Sequence, residues 1–182
     1  MFRSLASLMP LVLMGCHTVC GSTAPFWVQA ECVLLPDELP EYDDLTGCDA
    51  VVRVLIDGEV EGSAEAGDIV QLSGQVENLT QETLELAIID RCPDGLMRFD
   101  GLGEDADVYG SCEAGECASH GETMWLTIEP GEALMVDLEL AVDGDTCNPA
   151  LDDGMYAIEG SLELVDASVE VCSRGASLAV AR

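Results

Sequence analysis

Several segments of this chain alternate apolar and polar residues with a period of two, and this alternation restricts its possible folds more than any other feature. The apolar positions are Val70, Leu72, Gly74 and Val76; Leu84, Leu86 and Ile88; Leu134, Val136, Leu138, Leu140 and Val142; and Tyr156, Ile158, Leu162 and Leu164. Successive side chains of a β-strand point to opposite faces, so each set fits the buried face of a half-buried antiparallel strand. The sequence therefore predicts an all-β fold.

Shorter β-branched runs and turn residues complete this pattern. Further strands are predicted within residues 26–35, 51–56, 168–172 and 178–180. Turns are predicted at Asp57-Gly58, Pro130-Gly131, Asp143-Gly144 and Asp153-Gly154. Residues 61–66 offer at most one helical turn, and the irregular residues 91–120 predict long loops at one end of the fold. Roughly seven to nine short strands separated by turns indicate a two-sheet β-sandwich.

The acidic composition narrows the range of partners. The 182 residues include 36 aspartates and glutamates against six arginines and no lysine, which gives a formal net charge of -30. Such a surface repels phosphate backbones and anionic lipid headgroups, so we expect no nucleic-acid partner. The length is that of one domain, and an apolar fraction of 48% is enough for a buried core.

The amino terminus carries one positive charge, Arg3, followed by an apolar run over residues 5–14. The run is far shorter than the ~20 residues that cross a bilayer as a helix, and it is typical of an export signal. The motif Leu13-Met14-Gly15-Cys16 at its end resembles the lipobox of bacterial lipoproteins. The resemblance implies diacylglycerol on the Cys16 thiol, cleavage after Gly15 and acylation of the new amino terminus.

Cleavage by an ordinary secretory peptidase is the rival hypothesis. A site after Ala24 has the small residues that such a peptidase needs, but Pro25 follows and opposes the cut. That cut also removes Cys16 and Cys20, which leaves seven of the nine cysteines and one unpaired thiol in an oxidising compartment. Lipidation of Cys16 leaves eight, an even number, and parity therefore favours the lipoprotein.

This interpretation sets the organisation of the chain. We expect a lipoprotein signal peptide over residues 1–15, a lipidated amino terminus and tether over residues 16–25, and a β-sandwich domain over residues 26–182. One acyl chain binds a membrane only marginally, whereas two or more hold stably. The lipid anchor places the protein at the cell envelope, attached to a membrane and facing outside the cytoplasm.

The remaining cysteines predict up to four disulfides, because exported proteins keep their cysteines oxidised. Each disulfide typically stabilises a fold by ~2–4 kcal/mol. Proximity in sequence favours a Cys32–Cys48 pair, although eight cysteines allow 105 pairings. The disulfide candidates are Cys20, Cys32, Cys48, Cys92, Cys112, Cys117, Cys147 and Cys172.

Two groups of residues have the chemistry of metal ligands. Cys112, Cys117 and His120, with Cys92 as a fourth, are zinc ligand types, but their spacing is not a common zinc pattern and the compartment is oxidising. Four carboxylates near one turn are hard oxygen ligands of the kind that calcium prefers. These are Asp143, Asp145, Asp152 and Asp153. We expect disulfides at the first group, solvated turn residues at the second, and no metal or cofactor.

The sequence Gly154-Met155-Tyr156 is similar to the approach to a tyrosine corner, in which a tyrosine hydroxyl bonds to nearby backbone in Ig-like sandwiches. Residues 67–164, about half of the chain, also resemble the BsuPI-type proteinase-inhibitor family. The shared features are a strand ending in Glu77-Asn78, a Leu-x-x-x-Pro-Gly-Glu motif at residues 126–132, a long alternating strand and Gly-x-Tyr. The resemblance implies an Ig-like β-sandwich fold.

No hydrolase, zinc-protease, nucleotide-binding or dinucleotide-binding motif is present, and two histidines leave little for acid–base chemistry. His120 is the one base available to a catalytic thiol, so we do not expect an enzyme. The sequence predicts a non-catalytic, lipid-anchored binding module with a protein or envelope ligand. The resemblance to the BsuPI-type family implies an envelope-presented proteinase inhibitor as the alternative, and a divalent-cation-binding envelope protein is the second alternative.

Replacing the proposed lipidation site should release the protein from membranes. We expect Cys16→Ser to move the protein from the membrane fraction to the soluble fraction, because no basic patch supplies a second anchor. Fractionation followed by immunoblotting measures the change, and Cys20→Ser, which leaves the lipobox intact, is the matched control. Unchanged membrane association of Cys16→Ser would count against lipidation.

Overall fold

The computed structural model describes residues 30–34, 45–89, 97–103, 108–109, 123–145, 148–166 and 168–182. This part of the chain contains twelve β-strands. They are β1 (Ala30–Leu34), β2 (Ala50–Ile56), β3 (Glu61–Glu65), β4 (Ile69–Asn78), β5 (Leu84–Ile89), β6 (Arg98–Asp100), β7 (Val108–Tyr109), β8 (Thr123–Ile128), β9 (Glu132–Ala141), β10 (Gly154–Ser161), β11 (Val171–Arg174) and β12 (Ala176–Ala181).

The strands form two five-stranded sheets and a separate pair. The first sheet has the order β1-β9-β4-β2-β11, the second has the order β3-β12-β10-β6-β7, and β5 pairs with β8. The pair joins the end of β10 through a bridge between Ile88 and Leu164. The fold is therefore the predicted Ig-like β-sandwich, and the strands beyond the predicted seven to nine include short ones such as β3, β6 and β7.

Two chain segments cross from the first sheet to the second. The Asp57-Gly58 turn joins β2 to β3, and its φ angles of 51° and 87° lie in the left-handed region that a two-residue type I′ turn requires. Gly175 joins β11 to β12 at a point where a Cβ atom would lie 2.6 Å from the Ile158 carbonyl oxygen. The two segments run side by side, because β11 pairs with β2 and β12 with β3 in parallel register. They form a two-stranded ribbon that closes one side of the sandwich.

Most of the alternating positions form the core, as predicted, while Tyr156, Leu162 and Leu164 are partly buried against it. Glycines at two of the sheet positions make this packing possible: a Cβ at Gly74 would overlap the Met97 sulfur, and one at Gly160 would lie 2.8 Å from Val52 Cγ1. The largest fully buried side chains are Phe99, Ile56, Leu72, Leu86, Ile88, Met97, Leu102, Leu126, Ile128, Leu140, Leu151 and Ile158.

The predicted tyrosine corner is present at the start of β10. The Tyr156 hydroxyl donates to the Asp152 carbonyl oxygen at 3.1 Å and accepts from the Asp152 amide at 2.8 Å. A corner of this kind stands at the equivalent strand of Ig-like sandwiches. It ties the turn before β10 to the strand itself.

Two expectations about irregular regions were wrong where the structure describes them. Residues 61–65 form β3 rather than a helical turn, because pairing with β12 overrides their weak local preference. Within residues 91–120, Arg98–Asp100 form β6, which pairs with β10, and Phe99 is fully buried. Much of the rest of that stretch lies outside the described residues.

Cys48 forms a disulfide with Cys172, with the Cα atoms 5.9 Å apart. The suggested Cys32–Cys48 pair is therefore wrong, although the prediction of a disulfide-held sandwich is confirmed. Cys32 lies in β1 and Cys172 in β11, which are opposite edges of the same sheet. Two strands lie between β1 and β2, which Cys48 precedes, and adjacent strands are ~4.8 Å apart. Cys32 and Cys48 are therefore about three strand spacings apart, and proximity in sequence was misleading.

Asn78, at the end of β4, is buried and fixes the following turn. Its side-chain amide donates to the carbonyl oxygens of Glu82 and Ile128, both at 2.8 Å, and its carbonyl oxygen accepts from Thr80. The formal glycosylation sequon Asn78-Leu79-Thr80 thus has its acceptor nitrogen engaged in the interior. The residue serves as a structural connection between β4 and β8.

Removing the Cys48–Cys172 disulfide should lower the free energy of unfolding by about 3–5 kcal/mol, because it closes a long loop in the unfolded chain. We expect Cys48→Ser, Cys172→Ser and the double variant to lose similar amounts in denaturant unfolding, since one bond is lost in each. Ser168→Ala, an exposed substitution, is the control and should change little. Losses that add in the double variant would contradict a bond between these residues.

Candidate functional site

A cleft of about 360 Å³ opens where the ribbon leaves the first sheet. Its walls are the end of β10 with the residues that follow it, and β11 with the residues that precede it. Val52 of β2 contributes from the first sheet. The lining residues are Val52, Gly160, Ser161, Leu162, Leu164, Val169, Glu170, Val171, Cys172 and Ser173.

The cleft exists because β12 leaves β10 before β10 ends. Pairing between these strands stops at Ile158, opposite Ala176. Beyond that point the neighbouring strand on this side is β11, which belongs to the other sheet. One contact joins the two walls: the Ser173 hydroxyl donates to the Gly160 carbonyl oxygen at 3.3 Å.

The apolar residues of the cleft are only partly buried. Leu162, Leu164, Val169 and Val171 pack against the main core but retain intermediate exposure. Side chains of this type gain free energy when a bound apolar group removes the rest of their surface from water, at about 25 cal/mol per Å². The volume falls at the lower end of the roughly 300–1,000 Å³ of ligand pockets, so it suits a small ligand or individual side chains of a larger one.

The rim of the cleft is acidic. Glu170 lines the cleft and is exposed, and Asp166 is exposed in the segment that connects its two walls. Asp49 is drawn toward the rim, where its carboxylate accepts the Glu170 amide at 2.9 Å. In a chain of net charge -30, these carboxylates place a negative potential over the leucines and valines of the cleft.

A buried carboxyl group lies elsewhere, on the outer face of the first sheet. Glu77 of β4 is fully buried and meets Arg53 of β2, with Nη2 at 2.9 and 3.2 Å from the two carboxylate oxygens. Burial raises the pKa of Glu77 and outweighs the Arg53 guanidinium, which lowers it. Arg53 follows Val52 in β2, so the pair and the cleft lie on opposite faces of the sheet. Glu77 therefore does not serve the cleft.

The structure places few of the sequence-predicted site residues near the cleft. Cys172 lines it and is held by Cys48, whereas Cys32 lies in β1 at the far edge of the first sheet. The lipidation site and the other cysteine and histidine candidates lie outside the described residues. These are Cys16, Cys20, Cys92, Cys112, Cys117, His120 and Cys147.

The carboxylates proposed for calcium have other partners or face solvent. Asp143 pairs with Arg182 at 3.3 Å, and Asp145 accepts the Asn148 amide at 3.1 Å. Asp152 and Asp153 are exposed beside the tyrosine corner. Within the described ranges, no group of three or more histidine, cysteine, aspartate or glutamate side chains is arranged to hold a metal ion. Nor does the described part of the chain contain a helix long and apolar enough to cross a membrane.

The cleft itself was missed in the sequence. The alternation identified Leu162 and Leu164 as core positions, and nothing in it distinguished them from positions that are fully covered. One sequence signal is present: Gly160 lies inside β10 and Gly175 separates two short strands, and glycine inside a strand often marks a bend or a close approach.

Comparison with known proteins gives no family. No family model matches the chain, and no curated protein matches its sequence. Among solved structures, the CARDB domain of a Pyrococcus furiosus protein is 12% identical with a TM-score of 0.40, covering 72% of this chain and 94% of that one. The sporulation control protein Spo0M of Bacillus subtilis is 15% identical with a TM-score of 0.40, covering 74% and 50% respectively. Likeness at this level assigns no activity.

Burial of Glu77 should make stability depend on pH. Above pH 4.5 the unfolded chain loses this proton before the native protein does, so the free energy of unfolding falls as pH rises toward the raised native pKa. We expect the wild type to gain stability over Glu77→Gln as pH is lowered through the raised native pKa toward 4.5, measured by denaturant unfolding. Glu85→Gln, at an exposed position of β5, is the control, and a wild-type advantage independent of pH would contradict the shift.

Proposed function

We propose that the chain is an exported lipoprotein whose Ig-like domain is a non-catalytic binding module at the cell envelope, with its ligand taken in the cleft beside β11. The observation that carries the proposal is the cleft itself, which combines partly exposed leucines and valines with polar groups such as Ser161 and Glu170, and has a disulfide in its wall. A protein or envelope molecule with an apolar group fits this chemistry.

Two further observations support export. The motif ending in Cys16 resembles a lipobox, and the Cys48–Cys172 bond is of a kind that persists in oxidising compartments. A lipid anchor also suits an acidic domain, because the negative surface keeps the domain off anionic headgroups while the acyl chains hold it nearby.

A fluorescent apolar probe tests the cleft directly. We expect N-phenylnaphthylamine to bind at one saturable site. The protein is either the mature domain prepared without detergent or the lipidated protein after detergent exchange. Val169→Phe fills the cleft and should abolish this site, while the matched control Val165→Phe, at a residue that is 51% exposed and outside the cleft lining, should leave it unchanged.

The outcomes separate the proposal from its alternative. Probe binding that survives Val169→Phe, with the fold of that variant verified by its circular dichroism and melting temperature, would refute binding in the cleft. Potent inhibition by the wild type in a panel of proteases, unaffected by Val169→Phe, would instead favour the envelope-presented proteinase inhibitor.

A further inference from the structure

The cleft exposes an edge of β-structure as well as its leucines and valines. Ile89 donates to the Glu163 carbonyl oxygen at 3.0 Å and Val165 donates to the Ala87 carbonyl oxygen at 2.8 Å. Glu163 and Val165 therefore direct their main-chain groups toward β5. Main-chain amide and carbonyl groups of successive strand residues point to opposite sides. Leu164 lies between Glu163 and Val165, so its amide and carbonyl groups point away from β5, toward the cleft.

The same alternation applies at the start of this segment. The Gly160 carbonyl oxygen points to the cleft side, where it accepts from Ser173. Leu162 lies midway between Gly160 and Leu164, so its main-chain amide and carbonyl also point there. The Gly160 carbonyl is taken by Ser173, so Leu162 and Leu164 are the residues that present main-chain hydrogen-bonding groups along the cleft, beyond the point where β12 has left the sheet.

We infer that the cleft binds an extended peptide segment, which adds as a strand along residues 162–164, inserts apolar side chains between Leu162 and Val169, and places lysine or arginine beside Glu170. This inference rests on the proposed function and names its ligand class. Strand addition supplies main-chain hydrogen bonds, while pockets for alternate side chains supply specificity.

The dimensions fit this occupant. At about 3.3 Å per residue, residues 162–164 span roughly 7 Å, which matches about three residues of an extended peptide. Alternate side chains of such a peptide point the same way, so about two enter the cleft. A cleft of about 360 Å³ has room for side-chain anchors of this kind.

Charge selects a basic peptide and orients it. Glu170 lines the cleft and is exposed, Asp166 is exposed in the segment that connects the two walls, and the chain carries a large negative charge. Arg98 pairs with Asp100 near the Ser161 end, and Arg174 follows Ser173 at the end of β11. The basic residues of the peptide are therefore expected at the Glu170 end of the cleft.

Synthetic peptides test the inference on the detergent-solubilised mature protein. The probe is a nine-residue peptide with alternating valine and threonine in its centre and two lysines at each end. We expect saturable binding by calorimetry that weakens as salt is raised, and no binding of the same peptide with glutamates in place of lysines.

Backbone methylation distinguishes strand addition from charge attraction. Two further peptides carry N-methyl groups on either the valine or the threonine amides. One edge of an added strand faces residues 162–164, so one of these peptides should bind about tenfold more weakly and the other should bind as the parent does. Equal affinity of the two methylated peptides would overturn the inference.

Charge reversal at the rim supplies the matched protein variants. Glu170→Lys should weaken the lysine peptide by about tenfold, whereas Glu85→Lys, at an exposed position on β5, should not. Unchanged affinity in Glu170→Lys would also overturn the inference. If the apolar probe binds the wild type but not Val169→Phe, and no peptide binds, the peptide inference fails and the proposed function stands. If neither the probe nor a peptide binds the wild type, both fail.

Discussion

The architecture depends on one constraint, the crossing of a parallel ribbon from the first sheet to the second. Its two strands change sheets at the Asp57-Gly58 turn and at Gly175, positions that need left-handed backbone or a close approach to a carbonyl group. The Cys48–Cys172 disulfide fixes the ribbon where it begins, since Cys172 lies opposite Val51 in the parallel register. Because the bond joins residues 124 apart in the sequence, it also restricts the unfolded chain strongly.

The cleft is a consequence of that crossing. Beyond Ile158, the ribbon strand that lies beside β10 belongs to the first sheet. In the described structure, the end of β10 therefore has no partner strand from the second sheet on that side. Exposed strand edges invite pairing with other chains, and proteins commonly protect them with charge. The acidic rim has this effect against other acidic copies of the same domain, and the same charge favours a basic partner.

Buried polar groups in the described residues specify the fold more than they stabilise it. Glu77 and Arg53 meet on the covered outer face of the first sheet, and burial raises the Glu77 pKa despite the guanidinium. Such pairs gain little net free energy, because desolvation offsets their attraction. Asn78 and Asn148 likewise satisfy main-chain groups at strand ends, at hydrogen-bond distances of 2.8–3.1 Å. Each fixes the geometry of one turn.

The sequence by itself determined the all-β class, the core faces of β4, β5, β9 and β10, the glycine turns and the tyrosine corner, because these follow from residue period and local backbone preference. Tertiary structure alone decided the partner of Cys48, the strand character of residues 61–65, the burial of Phe99 and the position of the cleft. These features depend on which strands become neighbours across the sandwich, and pairing between distant segments leaves no periodic trace in either of them.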